Sequence, residues 1–467
     1  MTRVVIVGGG PGGYEAALVA AQVGGEVTLV DRDGLGGAAV LTDCVPSKTL
    51  IATAEVMSSM QSASELGLTI GGGKVQHAIN VNLGLVNRRV LALAKAQSKD
   101  IARNLKDNGV RVVAGTGRLD GAGVVVATTE AGEERLEAEV VLLSTGTRPR
   151  ELPDAVPDGE RILTWKQVYS LESLPEHLVV VGSGVTGAEF ASAYNALGAK
   201  VTLVSSRDMV LPGQDQEAAR ILQEVFVRRG VDVRPSSRAV SARREGETVV
   251  VTLASGETIE ASHCLMAVGA VPNTENLGLE TAGVVANRGY ITVDKVSRTS
   301  ARGVYAAGDV TGVFALASVA AMQGRIAMWH SLGDAVAPLD LNRVSSNVFT
   351  APEIATVGVT QEQVDAGLST AVGVMVPLRA NARAKMQNVT EGFVKLFCLP
   401  ITGIIVGGVV VAPHASELIH AITVAVAQRV TVEDFSHAFT VYPSISGSIA
   451  EAARRLYGHA EDRSITV

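Results

Sequence analysis

Two glycine-rich turns, each placed directly after a short apolar run, constrain this chain more than any other feature. Gly8-Gly9-Gly10-Pro11-Gly12-Gly13 follows Val4 to Val7, and Gly182-Ser183-Gly184-Val185-Thr186-Gly187 follows Leu178 to Val181. A strand that enters such a turn and leaves it as a helix presents free N–H groups and the positive end of the helix dipole, which together receive a pyrophosphate. Gly8, Gly10 and Gly13 are expected to form one cradle, and Gly182, Gly184, Thr186 and Gly187 the other. Two cradles imply two dinucleotides.

With 49 glycines in 467 residues, one isolated match to this pattern carries little weight. These two keep register with their surroundings. Gly182 lies 174 residues after Gly8, and the same offset carries Glu15 onto Glu189 and Val27-Thr28-Leu29-Val30 onto Val201-Thr202-Leu203-Val204. A duplicated βαβ unit accounts for all three coincidences.

The end of the second strand distinguishes the pockets. Asp31 falls 23 residues past Gly8, where an acid accepts hydrogen bonds from a ribose 2′-hydroxyl. Ser205 falls 23 residues past Gly182 and is followed by Ser206 and Arg207. A carboxylate there would repel a 2′-phosphate, whereas two hydroxyls and a guanidinium accept one. The second site is expected to take NADPH as well as NADH.

A net charge of −7 argues against a nucleic-acid partner. Cys44, Cys264 and Cys398 are three, an odd and low count that fits a reducing cytoplasm. The high mean hydropathy of +0.28 traces to short runs such as Ile404 to Val411, too glycine-broken to cross a bilayer, so no transmembrane segment is expected.

The pattern predicts helices over 47–63, 79–108, 316–332 and 446–456, and strands over 111–116, 123–128 and 139–143. Domain boundaries are expected near 150, 272 and 344, with the acidic, proline-containing stretch 151–160 as a crossover. The fold class is α/β: two Rossmann-like units and an α+β C-terminal domain from 345 to 467.

In order, the first fingerprint, Gly36 to Lys48, Ser144-Thr145-Gly146, the second fingerprint, Gly308-Asp309 and Phe349-Thr350-Ala351-Pro352-Glu353 resemble the motifs of the pyridine nucleotide–disulfide oxidoreductase flavoproteins. The resemblance covers essentially the whole chain. It implies FAD in the first site, bound by 1–150 and 273–344, NAD(P)H in the second, bound by 151–272, and a homodimer joined through 345–467. It places Asp309 on the FAD ribityl chain and the helix opening at Leu316, Ala317 and Ser318 toward the flavin pyrimidine, where negative charge gathers on reduction. Lys48 and Glu189 would pair beside flavin N5. Arg32, Gly37, Ala38, Gly117, Thr145, Gly146 and Gly269 are also expected to line the cofactor pockets.

The chain departs from that family twice. Its members carry two cysteines separated by four residues, and here the outer position is Ala39 while only Cys44 remains. They also carry a C-terminal His-Pro pair with a Glu five residues past the His, where this chain has Tyr442-Pro443 and Gly447. A phenol with a reference pKa near 10 does not shuttle protons at neutral pH as imidazole does. Thiol–disulfide exchange needs an attacking thiolate, a resolving partner and proton management, and two of the three are gone.

Electrons must then pass from the flavin directly to an acceptor that touches it. A planar quinone meets that requirement. The expected activity is NAD(P)H:quinone reduction, resembling the actinobacterial quinone reductases that look like lipoamide dehydrogenase without its relay, with Tyr442 of one subunit stacking on or hydrogen-bonding the quinone and Cys44 filling volume beside the ring. The alternatives are a soluble transhydrogenase, a disulfide reductase using Cys44 with an external thiol, and a flavin-bearing redox sensor.

Overall fold

The computed structural model describes residues 1–70, 73–74 and 79–464. Its first sheet is five-stranded and parallel, in the order Val304–Ala306, Val140–Leu143, Arg3–Val7, Glu26–Asp31, Arg111–Ala114. Val4 to Val7 are buried on both faces, as a central parallel strand requires, which is why the run reads as continuous hydrophobe rather than alternating.

A second parallel sheet repeats the arrangement: Ile162–Thr164, His263–Met266, His177–Val181, Lys200–Val204, Asp232–Arg234. Val4 pairs with Val27 and Leu178 with Val201, so the 174-residue offset seen in the sequence is also the offset of the strand register. Each unit carries a three-stranded antiparallel flap, over Thr116–Leu119, Val124–Thr129 and Gly132–Glu137 in the first and Ala239–Glu245, Thr248–Leu253 and Thr258–Ala261 in the second. The duplication therefore extends well past the βαβ unit.

The remaining sheet is antiparallel, in the order Ser345–Val348, Glu353–Gly358, Ile405–Ala412, Phe393–Cys398, Val372–Pro377. Ile405–Ala412, one of the glycine-broken runs that raise the mean hydropathy, is its almost wholly buried middle strand. Among the described residues no helix is long and apolar enough to cross a membrane.

The helices form at Cys44–Ser62, Leu83–Asp107, Ala317–Ser331 and Gly447–Ser464. The first begins three residues before the expected start because Pro46 sits in its opening turn, where its missing N–H breaks no intrahelical bond. Gln61 Nε2 of this helix donates to the Ala196 carbonyl of helix Val185–Leu197 at 3.0 Å, tying the first unit to the second.

Candidate active site

Both glycine turns have one geometry. Gly8 and Gly182 have φ of +105° and +108°, and a Cβ on either would lie 2.2 Å from a carbonyl oxygen of the neighbouring strand end, Ser144 or Ala267. Gly10 and Gly184 cap their helices with φ of −69° and extended ψ. A Cβ on Gly13 or Gly187 would fall 1.8 Å from the carbonyl oxygen of Gly8 or Gly182, so both helices press on their own turns and admit only glycine there. Space remains where a phosphate would lie: a Cβ on Gly10 would meet only Gly37 Cα at 4.0 Å, and one on Gly184 nothing within 4 Å. Among the described residues no acceptor takes the N–H of Gly10 or Gly12. Both turns thus fit a dinucleotide.

Asp31 also builds its own pocket. Its Oδ2 accepts from Gly9 N at 2.7 Å, and Oδ1 accepts from Asp33 N at 3.0 Å and Gly34 N at 2.6 Å. Burial pushes its carboxyl upward, against the pull of those three N–H groups. Arg32 is exposed and pairs with Asp33. Gly37 abuts Gly10, where a Cβ would lie 2.8 Å from Gly10 Cα, while Ala38 is exposed one residue on. Gly117 packs against Val7, whose Cγ1 is 2.9 Å from the position of a Cβ there.

The Thr145–Gly146 turn is fixed to the other end of the second unit. Thr145 Oγ1 donates to the Asn273 carbonyl at 2.8 Å, Asn273 Nδ2 donates back to the Thr145 carbonyl at 2.8 Å, and Asn273 N donates to the Gly146 carbonyl at 3.0 Å. Gly269, at φ +94°, accepts from Arg150 N in the same crossing. Gly308 N donates to the buried Gln323 Oε1 at 2.8 Å, which holds the Gly308-Asp309 turn to helix Ala317–Ser331. Asp309 Oδ2 accepts from Thr147 Oγ1 at 3.3 Å, and burial raises its carboxyl. Leu316 caps the helix with extended backbone and no side-chain acceptor, leaving the N–H groups of Ala317 and Ser318 at an uncapped positive end.

Lys48 and Glu189 meet as expected. Nζ donates to Oε2 at 2.7 Å, with Glu189 4% and Lys48 29% exposed. Glu189 Oε1 also accepts from Phe349 N at 2.9 Å, and the ammonium lies 4.9 Å from the Phe349 ring centroid. Burial pulls the ammonium down, the facing carboxylate more than restores it, and the net direction is upward. Glu15, the partner of Glu189 in the duplication, pairs instead with Arg325 at 3.0 Å.

Cys44 opens helix Cys44–Ser62 beside this pair. Burial, then the neighbouring Asp43, pushes its thiol up to about 11, so it stays protonated at neutral pH. All three cysteines are free, and burial pushes Cys264 up to about 12 and Cys398 up to about 11.

The structure corrects one expectation. Ser205 does not offer its hydroxyl to a 2′-phosphate: it is wholly buried, contacts Ser183 Oγ at 2.7 Å, donates to the Arg207 carbonyl and accepts from Arg207 N. Its role is to hold the turn, because a hydroxyl at the sealed end of a parallel strand must find partners within the protein. Ser206 and Arg207 are exposed, and among the described residues the Arg207 guanidinium has no ion-pair partner. Tyr442 is not joined to Lys48 or Glu189 by any bond or ring contact among the described residues of the chain. It is 86% exposed, beside Val441 at 78% and Phe439 at 105%.

Two residues escaped the sequence reading. Asp43 occupies the N-cap of helix Cys44–Ser62 without capping it, at φ −131° and ψ −93°, and its carboxyl makes no hydrogen bond among the described residues. Burial raises it, against Lys48, while Glu189 and Asp309 raise it further. Tyr169, 3% exposed, has a hydroxyl with no hydrogen-bond partner among the described residues, and after burial Asp43 is the group that most raises its phenol. An acid immediately before Cys44 was the one visible signal for the first; none marked the second.

Residues 2–324 match the family described as pyridine nucleotide-disulphide oxidoreductase, and residues 344–453 match its dimerisation domain. A protein of Mycobacterium tuberculosis (strain ATCC 25618 / H37Rv) named NAD(P)H dehydrogenase (quinone) is 53% identical over 98% of this chain and 94% of its own length. The dihydrolipoyl dehydrogenase of Zymomonas mobilis is 34% identical over 98% of each. Among solved structures, LpdA from Mycobacterium tuberculosis superposes with a TM-score of 0.93 at 54% identity, covering 98% of this chain and 100% of that one. The HOCl-induced flavoprotein disulfide reductase RclA of Escherichia coli shares the fold, with a TM-score of 0.85 at 23% identity over 97% of this chain and 99% of its own.

Proposed function

The chain belongs to the pyridine nucleotide-disulphide oxidoreductase family, and from that premise we propose that it is an FAD-dependent NAD(P)H:quinone oxidoreductase. One observation carries the reading: the only cysteine beside the Lys48–Glu189 pair has no resolving partner, since Ala39 stands at the outer position, and its thiol remains protonated at neutral pH. The mycobacterial relative named for quinone reduction supports the choice of acceptor.

Bound in the first turn, FAD supplies a two-electron carrier between nicotinamide and acceptor. The protein's contribution is placement and charge. Gly8 to Gly13 and Gly182 to Gly187 receive the two pyrophosphates. Lys48, held by Glu189, would offer a fixed positive charge to the bound flavin, and the uncapped start of helix Ala317–Ser331 would add positive potential where negative charge develops on reduction. Residues 1–150 with 273–344 form the FAD-binding part, 151–272 the NAD(P)H part and 345–467 the dimerising part.

The protein works as a homodimer. Phe439, Val441 and Tyr442 form an exposed apolar strap beside the start of helix Gly447–Ser464, which a second copy would cover. That contact brings Tyr442 to the partner's acceptor site. The protein acts in the cytoplasm.

Anaerobic titration with NADPH followed by a quinone tests the reading. Bleaching of the flavin band is expected at one equivalent, without the long-lived charge-transfer absorbance of a dithiol, and quinone restores the yellow colour. A two-equivalent requirement with that absorbance, or brisk turnover of dihydrolipoamide, would overturn it.

A further inference from the structure

A lysine is a poorly fixed charge when left to itself. Its ammonium rides on a flexible four-carbon stem, and one hydrogen bond to a carboxylate leaves it free to swing between the two oxygens or out into water. Here one residue of the C-terminal domain closes both freedoms. Phe349 N donates to Glu189 Oε1 at 2.9 Å, which leaves Oε2 for Lys48 Nζ at 2.7 Å, and the centroid of the Phe349 ring lies 4.9 Å from that same Nζ.

We propose that Phe349 is a positioning residue for the flavin: its amide selects the Glu189 oxygen, its ring holds the Lys48 ammonium, and together they fix the direction in which Lys48 offers its charge to the bound cofactor. The ring suits this task because its π face attracts a cation without carrying a charge that would cancel it. A second carboxylate in its place would grip the ammonium and leave the site negative. Glu189 is 4% and Lys48 29% exposed, so the pair is a dipole with its cationic end toward the open side. The proposal rests on the reading that places FAD beside Lys48, and it holds for any acceptor the flavin serves.

Phe349 is itself held in place. It follows strand Ser345–Val348, whose last residue pairs with Ile354 of the next strand. Two residues on, Ala351 N donates to Ser192 Oγ at 3.2 Å, three residues past Glu189 on helix Val185–Leu197, and the Ala351 carbonyl accepts from Arg229 Nη1 at 2.9 Å. Thr350, between them, is buried, and its hydroxyl donates to the Pro352 carbonyl at 2.7 Å. The stretch 349–351 cannot slide along the helix without breaking these bonds. The direction of the ring is therefore set by the antiparallel sheet of the C-terminal domain, and a change in how that sheet seats on the second unit reaches the ammonium through Phe349.

The test reads the redox poise of the flavin in the holoenzyme, by anaerobic equilibration with a reference dye. A fixed positive charge favours the reduced, negatively charged flavin. In Phe349→Leu, which keeps the amide and loses the ring, the equilibrium constant for flavin reduction should fall about three- to fivefold, the scale of one partly exposed ammonium–ring contact. Phe349→Tyr keeps the π face and should stay at the wild-type value. In a Lys48→Met background Phe349→Leu should have no further effect, because the ring acts through the ammonium. An equal fall with and without Lys48 would mean that the ring only packs, and would overturn the proposal; so would wild-type poise in Phe349→Leu. Should that variant fail to fold, phenylalanines with one, two and three ring fluorines at position 349 keep the shape and weaken the negative face stepwise. The equilibrium constant should fall in that order, and a flat series would equally overturn the assignment. No arm uses a quinone, so a wild-type protein that reduces no quinone would defeat the proposed acceptor alone, with the dye equilibrium still deciding the role of Phe349.

Discussion

Lys48 and Glu189, 141 residues apart in the chain, form a 2.7 Å ion pair whose carboxylate is 4% exposed and also takes the Phe349 amide at 2.9 Å. One acid thus connects the first unit, the second unit and the C-terminal sheet. Lys48→Ala would leave Glu189 buried without its cation. A loss of about 2–3 kcal/mol of stability is expected, below the usual range for a broken buried pair because the lysine is partly in solvent. Urea denaturation of the holoprotein checks it, and an unchanged midpoint would mean the pair carries no weight.

The matched glycines separate the two cofactors. Gly13→Ala places a methyl carbon 1.8 Å from the Gly8 oxygen and should give protein that purifies without FAD. Gly187→Ala makes the same collision in the other turn, and should keep its yellow colour while losing reduction by NAD(P)H. Absorbance at purification and stopped-flow reduction distinguish them. Loss of FAD in both would show that the units do not bind independently.

Cys44 should resist alkylation at neutral pH. With its thiol pushed up to about 11, roughly one molecule in a thousand is thiolate at pH 8, and the iodoacetamide rate should climb about tenfold per pH unit until about pH 11. Rapid labelling at pH 7 would point to an activated thiol and favour disulfide chemistry.

Arg207 is the cation left exposed where Ser205 turns inward. Arg207→Ala should raise the NADPH KM about tenfold while leaving that for NADH within a factor of two, as expected for one charged hydrogen bond in an exposed position. Equal effects on both nucleotides would place the guanidinium away from the 2′-phosphate.

Tyr442→Phe and Tyr442→Ala examine the strap. The alanine variant should raise the quinone KM by about three- to tenfold, the scale of one aromatic contact, with little change in flavin reduction by NADPH. A hydrogen-bonding role would make the phenylalanine variant behave like alanine; a stacking role would leave it near wild type. Kinetics unchanged in both would remove Tyr442 from the site.

The chain alone determined the two dinucleotide turns, their 174-residue repeat and the parallel sheets beneath them. Those features are local: a glycine that must adopt φ near +105°, an apolar strand and a helix start lie within a few residues of one another, so their spacing survives in one dimension. The absence of a second thiol at Ala39 was equally legible. Tertiary structure decided what side chains do once packed. Ser205 and Ser206 are neighbours with the same hydroxyl, yet one is sealed inside and the other faces water, because the turn after strand Lys200–Val204 folds the Ser205 hydroxyl onto Ser183 and the Arg207 backbone and leaves Ser206 outside. Glu15 and Glu189 hold equivalent places in the repeat, yet helices brought from different parts of the chain give them Arg325 and Lys48 as partners. Asp43 looks like an ordinary turn acid in the sequence, and the burial that pushes its carboxyl upward exists only once distant segments have packed around the start of helix Cys44–Ser62.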